Sequence, residues 1–227
     1  MRTSPVNVPK LTALLKKHPT ATHAPLPELV AQKDPVATLV FSFLLWEATT
    51  AQAVEAYGRL SECMVDFNDL RVSLASDVTA TLGPRYPRAE ERAKRLRATL
   101  NDLFKREHAV KFPVEKGGKR DIRAYVESLE GMVVPFVGCR LLLLCFGAHG
   151  IPADEQTRAM LADAGVCEGG IDLMDLSNAL ARHVKAEQAE AAHGSIQMHV
   201  DHAHAELRSR KAPKAAERAP AARKSRK

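Results

Sequence analysis

The sequence predicts an all-α protein, and three observations carry that expectation. Alanine and leucine abound while aromatic residues make up only 5% of the chain. Long stretches of alternating apolar and polar residues, the mark of half-buried strands, do not occur. Glycine and proline sit at the edges of the apolar stretches, where helices stop and start. A length of 227 residues suffices for one sizeable domain with tails, or for two small lobes.

In order along the chain, residues 1–33 hold Pro19, Pro25 and Pro27 and read as an arm, with one amphipathic piece over 11–17 expected to dock on the body. Asp34-Pro35 supplies an N-cap and a first-turn proline for an apolar helix over 36–48, carrying Leu39, Val40, Phe43, Leu44 and Trp46. A second helix starts near Thr49-Thr50 and runs to Cys63. Short helical pieces over 68–72 and 76–82 end at Gly83-Pro84. The run Arg85-Tyr86-Pro87-Arg88-Ala89-Glu90 then opens a long helix to about Lys105, whose buried stripe is Leu96, Leu100, Leu103 and Phe104. Pro113, Gly117 and Gly118 mark a loop, and a helix over 122–129 delivers the chain to Gly131.

Residues 136–146 carry one charge, Arg140, which predicts a helix buried in the middle of the domain. Gly147 and Gly150 end it, and Pro152 with Asp154 opens the next helix, to about Ala164. A further helix is expected over 171–192. The domain proper therefore spans 34–192, followed by a His-rich helical extension over 193–207. A tail over 208–227 is expected to be disordered, since its Lys/Arg/Ala/Pro composition cannot bury an apolar core.

Composition excludes several classes. No apolar run approaches the roughly 20 residues that cross a bilayer, and the first residues lack a signal peptide's apolar centre. A cytoplasmic, nucleoid-associated protein without a membrane partner is expected. Cys63, Cys139, Cys145 and Cys167 fit neither a paired zinc spacing nor an iron–sulfur loop. Cys139 and Cys145 read as small apolar groups within the buried helix. His199 with His202, or His202 with Glu206, share a helical face; the pattern matches no specific site, and neither a metal nor a cofactor is assigned.

Charge is unevenly spread. Residues 208–227 hold nine Lys or Arg and one acid, and residues 85–123 hold thirteen basic residues and six acids, leaving the remainder net negative. Two positive regions on an acidic body point to a polyanion, double-stranded DNA first. The tail residues Arg208, Arg210, Lys211 and Lys214 would bind phosphates by releasing counterions. Arg88, Arg92, Arg95, Lys119, Arg120 and Arg140 complete the candidate DNA-binding set. For the arginines at 88, 92 and 95, a merely solvated helix face is the alternative.

The run Leu129-Glu130-Gly131-Met132-Val133, the apolar segment ending at Phe146-Gly147, and Ala153-Asp154 together resemble the helix-hairpin-helix DNA glycosylase superfamily typified by endonuclease III. Tyr86, Arg88 and Ala89 add a second point of likeness, and the resemblance spans about residues 35–166. It implies a two-lobed helical fold acting on DNA in base-excision repair. It also implies a hairpin of Gly131, Met132 and Val133 that aims backbone amides at a phosphate, with Asp154 as the catalytic carboxylate of a monofunctional glycosylase. Asp154 read by itself is equally an ordinary helix-capping acid. Leu44-Leu45-Trp46-Glu47-Ala48-Thr49 is similar to the family's DNA-facing segment, with Glu47 in the region of its glutamine; a plain helix-end charge is the other reading.

The chain departs from the family in four places. Val133 replaces the hairpin's second glycine, and Pro135 removes an amide donor. Pro135 or Phe136 stands where bifunctional members carry a lysine, and no lysine occurs between Lys119 and Lys185, so lyase chemistry is not expected. The family's four-cysteine cluster has no counterpart. A non-catalytic DNA-binding or chromatin-associated protein is the second reading, and a helical interaction module the third.

Overall fold

The computed structural model describes residues 5–17, 25–113 and 118–211; the side chains of Arg208, Arg210 and Lys211 lie outside that description, as does Lys214 with the rest of the tail. Among the described residues twelve α-helices follow one another: α1 (Val8–Lys17), α2 (Glu28–Ala31), α3 (Pro35–Leu45), α4 (Thr50–Cys63), α5 (Phe67–Val72), α6 (Ala75–Leu82), α7 (Ala89–Glu107), α8 (Lys119–Glu127), α9 (Pro135–Phe146), α10 (Glu155–Asp163), α11 (Leu173–His183) and α12 (Ala189–Lys211). Among the described residues the only strand-like feature is an isolated antiparallel bridge between Val6 and Cys167. The all-α expectation holds.

Local chemistry explains several helix boundaries. Asp34 accepts the Ala37 amide at 2.7 Å, with Pro35 in the first turn of α3. Thr49 and Gln52 form a reciprocal capping box on α4. Gly83, at φ +92, stops α6, and Gly147, at φ +59, stops α9, both in backbone that favours glycine. Every residue of α3 after its first proline is buried, which makes α3 the inner rod of the larger lobe.

The helices fall into two lobes with separate hydrophobic clusters. One gathers α2 to α9 around Phe41, Phe43, Leu96, Leu100 and Leu103. The other gathers α1 and α10 to α12 around Leu11, Ile151, Leu161, Leu180 and Ile196. The apolar helix α9 serves both: Leu141 and Leu142 belong to the first cluster, Leu143 to the second. Its low charge is thereby accounted for, since almost no face of it meets water.

Three expectations require correction. Helix α3 ends at Leu45 rather than 48, because Trp46 leaves the helical region with ψ 117 and Glu47 then turns left-handed at φ +50. The helix expected over 171–192 breaks at Val184-Lys185, where buried Val184 is extended and its carbonyl lies 2.9 Å from His149 Nε2. Helix α12 then runs without interruption through the expected extension over 193–207 instead of starting a separate segment there, with His193, Ile196, Gln197 and Val200 buried. The docking piece of the arm is α1, with Leu11 and Leu14 buried, Asn7 N donating to Val166 O at 2.7 Å, and His199 Nε2 3.0 Å from Leu14 O.

Candidate nucleic-acid interface

The lobes meet at Asp154. It is the N-cap of α10, and its Oδ1 accepts from both the amide and the hydroxyl of Thr157, each at 2.8 Å. Its Oδ2 accepts the Glu47 amide at 2.8 Å, tying the second lobe to the α3–α4 turn of the first. The residue is 4% exposed. A carboxylate that accepts three hydrogen bonds in a buried site is well compensated and firmly held.

A line of charges leads from this corner along α7. Arg88, left-handed at φ +47, donates from Nε to Glu47 at 2.7 Å and from Nη1 to Glu91 at 3.1 Å. Arg95 takes the other Glu91 oxygen, with Nε at 3.0 Å and Nη2 at 2.8 Å. Arg88 also stacks over Trp46, 5.1 Å from the ring centroid. Two arginines alternate with two glutamates, so the strip that would face phosphates is internally neutralised.

The hairpin follows one turn further on. Gly131, at φ +83, lies so close to α7 that a Cβ there would stand 2.5 Å from the Arg95 carbonyl oxygen and 2.8 Å from Thr99 Oγ1. Thr99 Oγ1 donates to Glu130 O at 2.8 Å, and Glu130 N donates to Asp102 at 2.9 Å. Only glycine permits this approach, for steric as well as conformational reasons. Val133 is the exposed tip, at 69%. Lys119 donates from Nζ to Gly147 O at 2.7 Å, closing the end of α9, and Arg120 is exposed.

Three residues of the candidate set do not reach this surface. Arg92 is fully buried: it donates to the Pro87 carbonyl at 2.8 Å and to the Trp46 carbonyl, and it lies 4.7 Å from the Tyr86 ring centroid. Burial lowers its pKa to about 10. Tyr86, raised to about 12 by burial, donates to Leu44 O at 2.7 Å, so this pair satisfies carbonyls at the end of α3. Arg140 is buried and donates to Ser42 Oγ at 2.9 Å. Met132 is buried against Gly138 of α9 and faces no phosphate.

Phe136, at one of the two positions aligned with a lyase lysine, is buried edge-on to His193, while Pro135 is exposed. A cavity of about 220 Å³ beside the hairpin is lined by Val133, Pro135, Cys139, Ala153 and Ser177 among others, but not by Asp154. Burial pushes the Cys139 thiol up to about 11, which leaves it protonated and unreactive at neutral pH. Among the described residues, no group of three His, Cys, Asp or Glu could hold a metal ion, and no helix is long and apolar enough to cross a membrane.

Thr157, Glu91, Thr99 and Asp102 hold the corner and the hairpin in place, and none of them stands out in the sequence as a site residue. The Asp154-x-x-Thr157 spacing was a readable capping signal, and Glu91–Arg95 a readable i,i+4 pair. The contacts of Thr99 and Asp102 with residue 130 leave no local trace.

Comparison with solved structures identifies the architecture. Two endonuclease III–DNA complexes, one a trapped covalent intermediate with an estranged adenine and one non-covalent, each align with TM-score 0.63 and 16% identity, over 83% of this chain and 81% of theirs. A thermostable thymine-DNA glycosylase aligns with TM-score 0.57 and 14% identity, over 85% of this chain and 83% of that one. No family model and no curated protein matches the sequence. The chain has the all-α fold of the helix-hairpin-helix DNA glycosylases, as the hairpin and aspartate motifs implied.

Proposed function

We propose that this protein binds double-stranded DNA on a glycosylase scaffold without performing base excision. The observation that carries this reading is the occupancy of Asp154. A carboxylate that stabilises a developing sugar cation or activates water must face the reacting sugar. Here both oxygens are taken by the Thr157 cap and the Glu47 amide. Support for DNA as the partner comes from the DNA complexes among the structural neighbours and from the two basic regions of the sequence. The exposed hairpin tip at Val133 and Arg120 form the folded contact surface, and Arg88 and Arg95 join it only by exchanging their glutamate partners for phosphates. The tail with Arg208, Arg210, Lys211 and Lys214 adds salt-sensitive grip. A nucleoid-associated location follows from that activity.

A monofunctional glycosylase acting in base-excision repair is the second reading. One observation favours it: Asp154 opens α10 at the junction of the lobes, against the α3–α4 turn that resembles the family's DNA-facing segment. Incubation with duplexes carrying uracil, oxidised or alkylated bases separates the two. Binding that weakens with salt, without base release, is expected. Base release abolished by Asp154→Asn would establish the glycosylase instead, and no binding at low salt would leave only a helical interaction module.

A further inference from the structure

A different cavity, of about 250 Å³, lies among α2, α3, α9 and α12 and shares no lining residue with the Asp154 corner. Arg140 lines it. This guanidinium is 5% exposed, its one protein hydrogen bond runs from Nη1 to Ser42 Oγ, and its Nε has no partner. Among the described residues no carboxylate stands within ion-pairing distance of it. Glu190 lines the same cavity but is held by Lys33 at 2.8 Å. Thr50, also in the lining and buried, has a hydroxyl without a hydrogen-bond partner.

A buried cation without a counter-charge is costly, and evolution normally pairs it or removes it. Arg140 lies 5.3 Å from the Phe41 ring centroid but has no carboxylate partner among the described residues, so the cavity it lines carries a buried positive charge. The Lys33–Glu190 pair cancels itself, and Asp201, which accepts from the Thr50 amide at 3.0 Å and Gln197 Nε2 at 3.1 Å, makes the Thr50 side of the lining negative. An anionic head therefore belongs at Arg140, and a single charge suits the site better than a phosphate dianion. Val30, Phe41, Leu45 and Leu144 supply apolar walls, and the volume falls below the range typical of drug-sized ligands. The flat fork of an arginine matches a carboxylate in two hydrogen bonds.

We propose that this cavity binds a small organic carboxylate, with its head on Arg140 and its apolar body against Val30, Phe41, Leu45 and Leu144. The proposal stands independently of DNA binding.

Titration of the full chain with hexanoate and with benzoate, followed by calorimetry and thermal unfolding, tests it. Saturable binding at millimolar concentration with a rise in Tm is expected for at least one of them. Hexanol, benzamide and inorganic phosphate should give none. Arg140→Met, close in volume, should weaken carboxylate binding at least about tenfold, the loss expected for a charge-assisted pair. Ala31→Phe, on the exposed rim at the end of α2, should block entry while leaving Arg140 in place. It decides the matter even if the Arg140 variant fails to fold. Absence of saturable carboxylate binding, equal binding of the uncharged analogues or phosphate, or binding unchanged in Ala31→Phe would overturn the proposal.

Discussion

At Asp154 one carboxylate joins segments 107 positions apart in sequence, and its removal should be felt twice. Asp154→Ala deletes an N-cap, worth about 1 kcal/mol, and orphans the Glu47 amide, worth about 1–3 kcal/mol more. Urea unfolding should show a total loss of about 2–4 kcal/mol at an unchanged m-value. Glu47 bears on binding in the opposite sense. Glu47→Gln should strengthen DNA binding, because it withdraws a negative charge and releases Arg88 to a phosphate. Anisotropy titrations across salt should show a steeper slope by about 1; a weaker complex would contradict the contact surface. Residue-level legibility was mixed. Arg92 reads in sequence as an outward charge beside Arg88 and Arg95, but it lies four positions before Leu96, a spacing that puts it on the buried stripe of α7 instead. Its partners, the carbonyls of Trp46 and Pro87, come from tertiary packing that no spacing encodes. Arg140, a lone charge in an apolar helix, was likewise legible as buried and illegible as unpaired.

Among the elements, the hairpin shows how a degenerate motif keeps its shape. Gly131 was found from sequence and is required by its close approach to α7. The anchors at Thr99 and Asp102 were not found, since they sit about 30 residues upstream on a helix with its own exposed-face reading. Burial by itself would raise the Asp102 carboxyl, but the Glu130 amide and the Arg106 guanidinium outweigh it and hold the group below its ordinary value. A carboxylate depressed in the folded state stabilises fully above its unfolded value of about 3.9. That contribution is lost as pH falls through the folded value. Hydrogen exchange should therefore show the 129–134 segment loosening below about pH 4, with Asp102→Asn loosening it already at neutral pH and removing its part of the acid dependence. The α11–α12 boundary escaped the sequence for a different reason. Val184-Lys185 contains neither glycine nor proline, and the break follows from burying Val184 in the second lobe.

For the whole molecule, the all-α class and the order of most helices could be read from capping residues and apolar stripes, because these are local signals. The partition into two lobes came only through family likeness, because it depends on which buried faces choose each other. Charge is the molecular property with the clearest test. Ending the chain after Lys211 removes six basic residues and one acid. The salt slope of DNA binding should flatten by up to about 5, while the thermal unfolding midpoint stays where it was. A slope that did not change would remove the tail from the binding surface. Helix α9 lends its side chains to both hydrophobic clusters, and the 154–47 tether closes the same seam from outside. The two halves are thus joined at two places, by a helix they share and by a buried carboxylate. If the proposed duplex binding spans that seam, the DNA supplies the curvature, and easily kinked pyrimidine–purine steps are expected to bind in preference to stiff A-tracts.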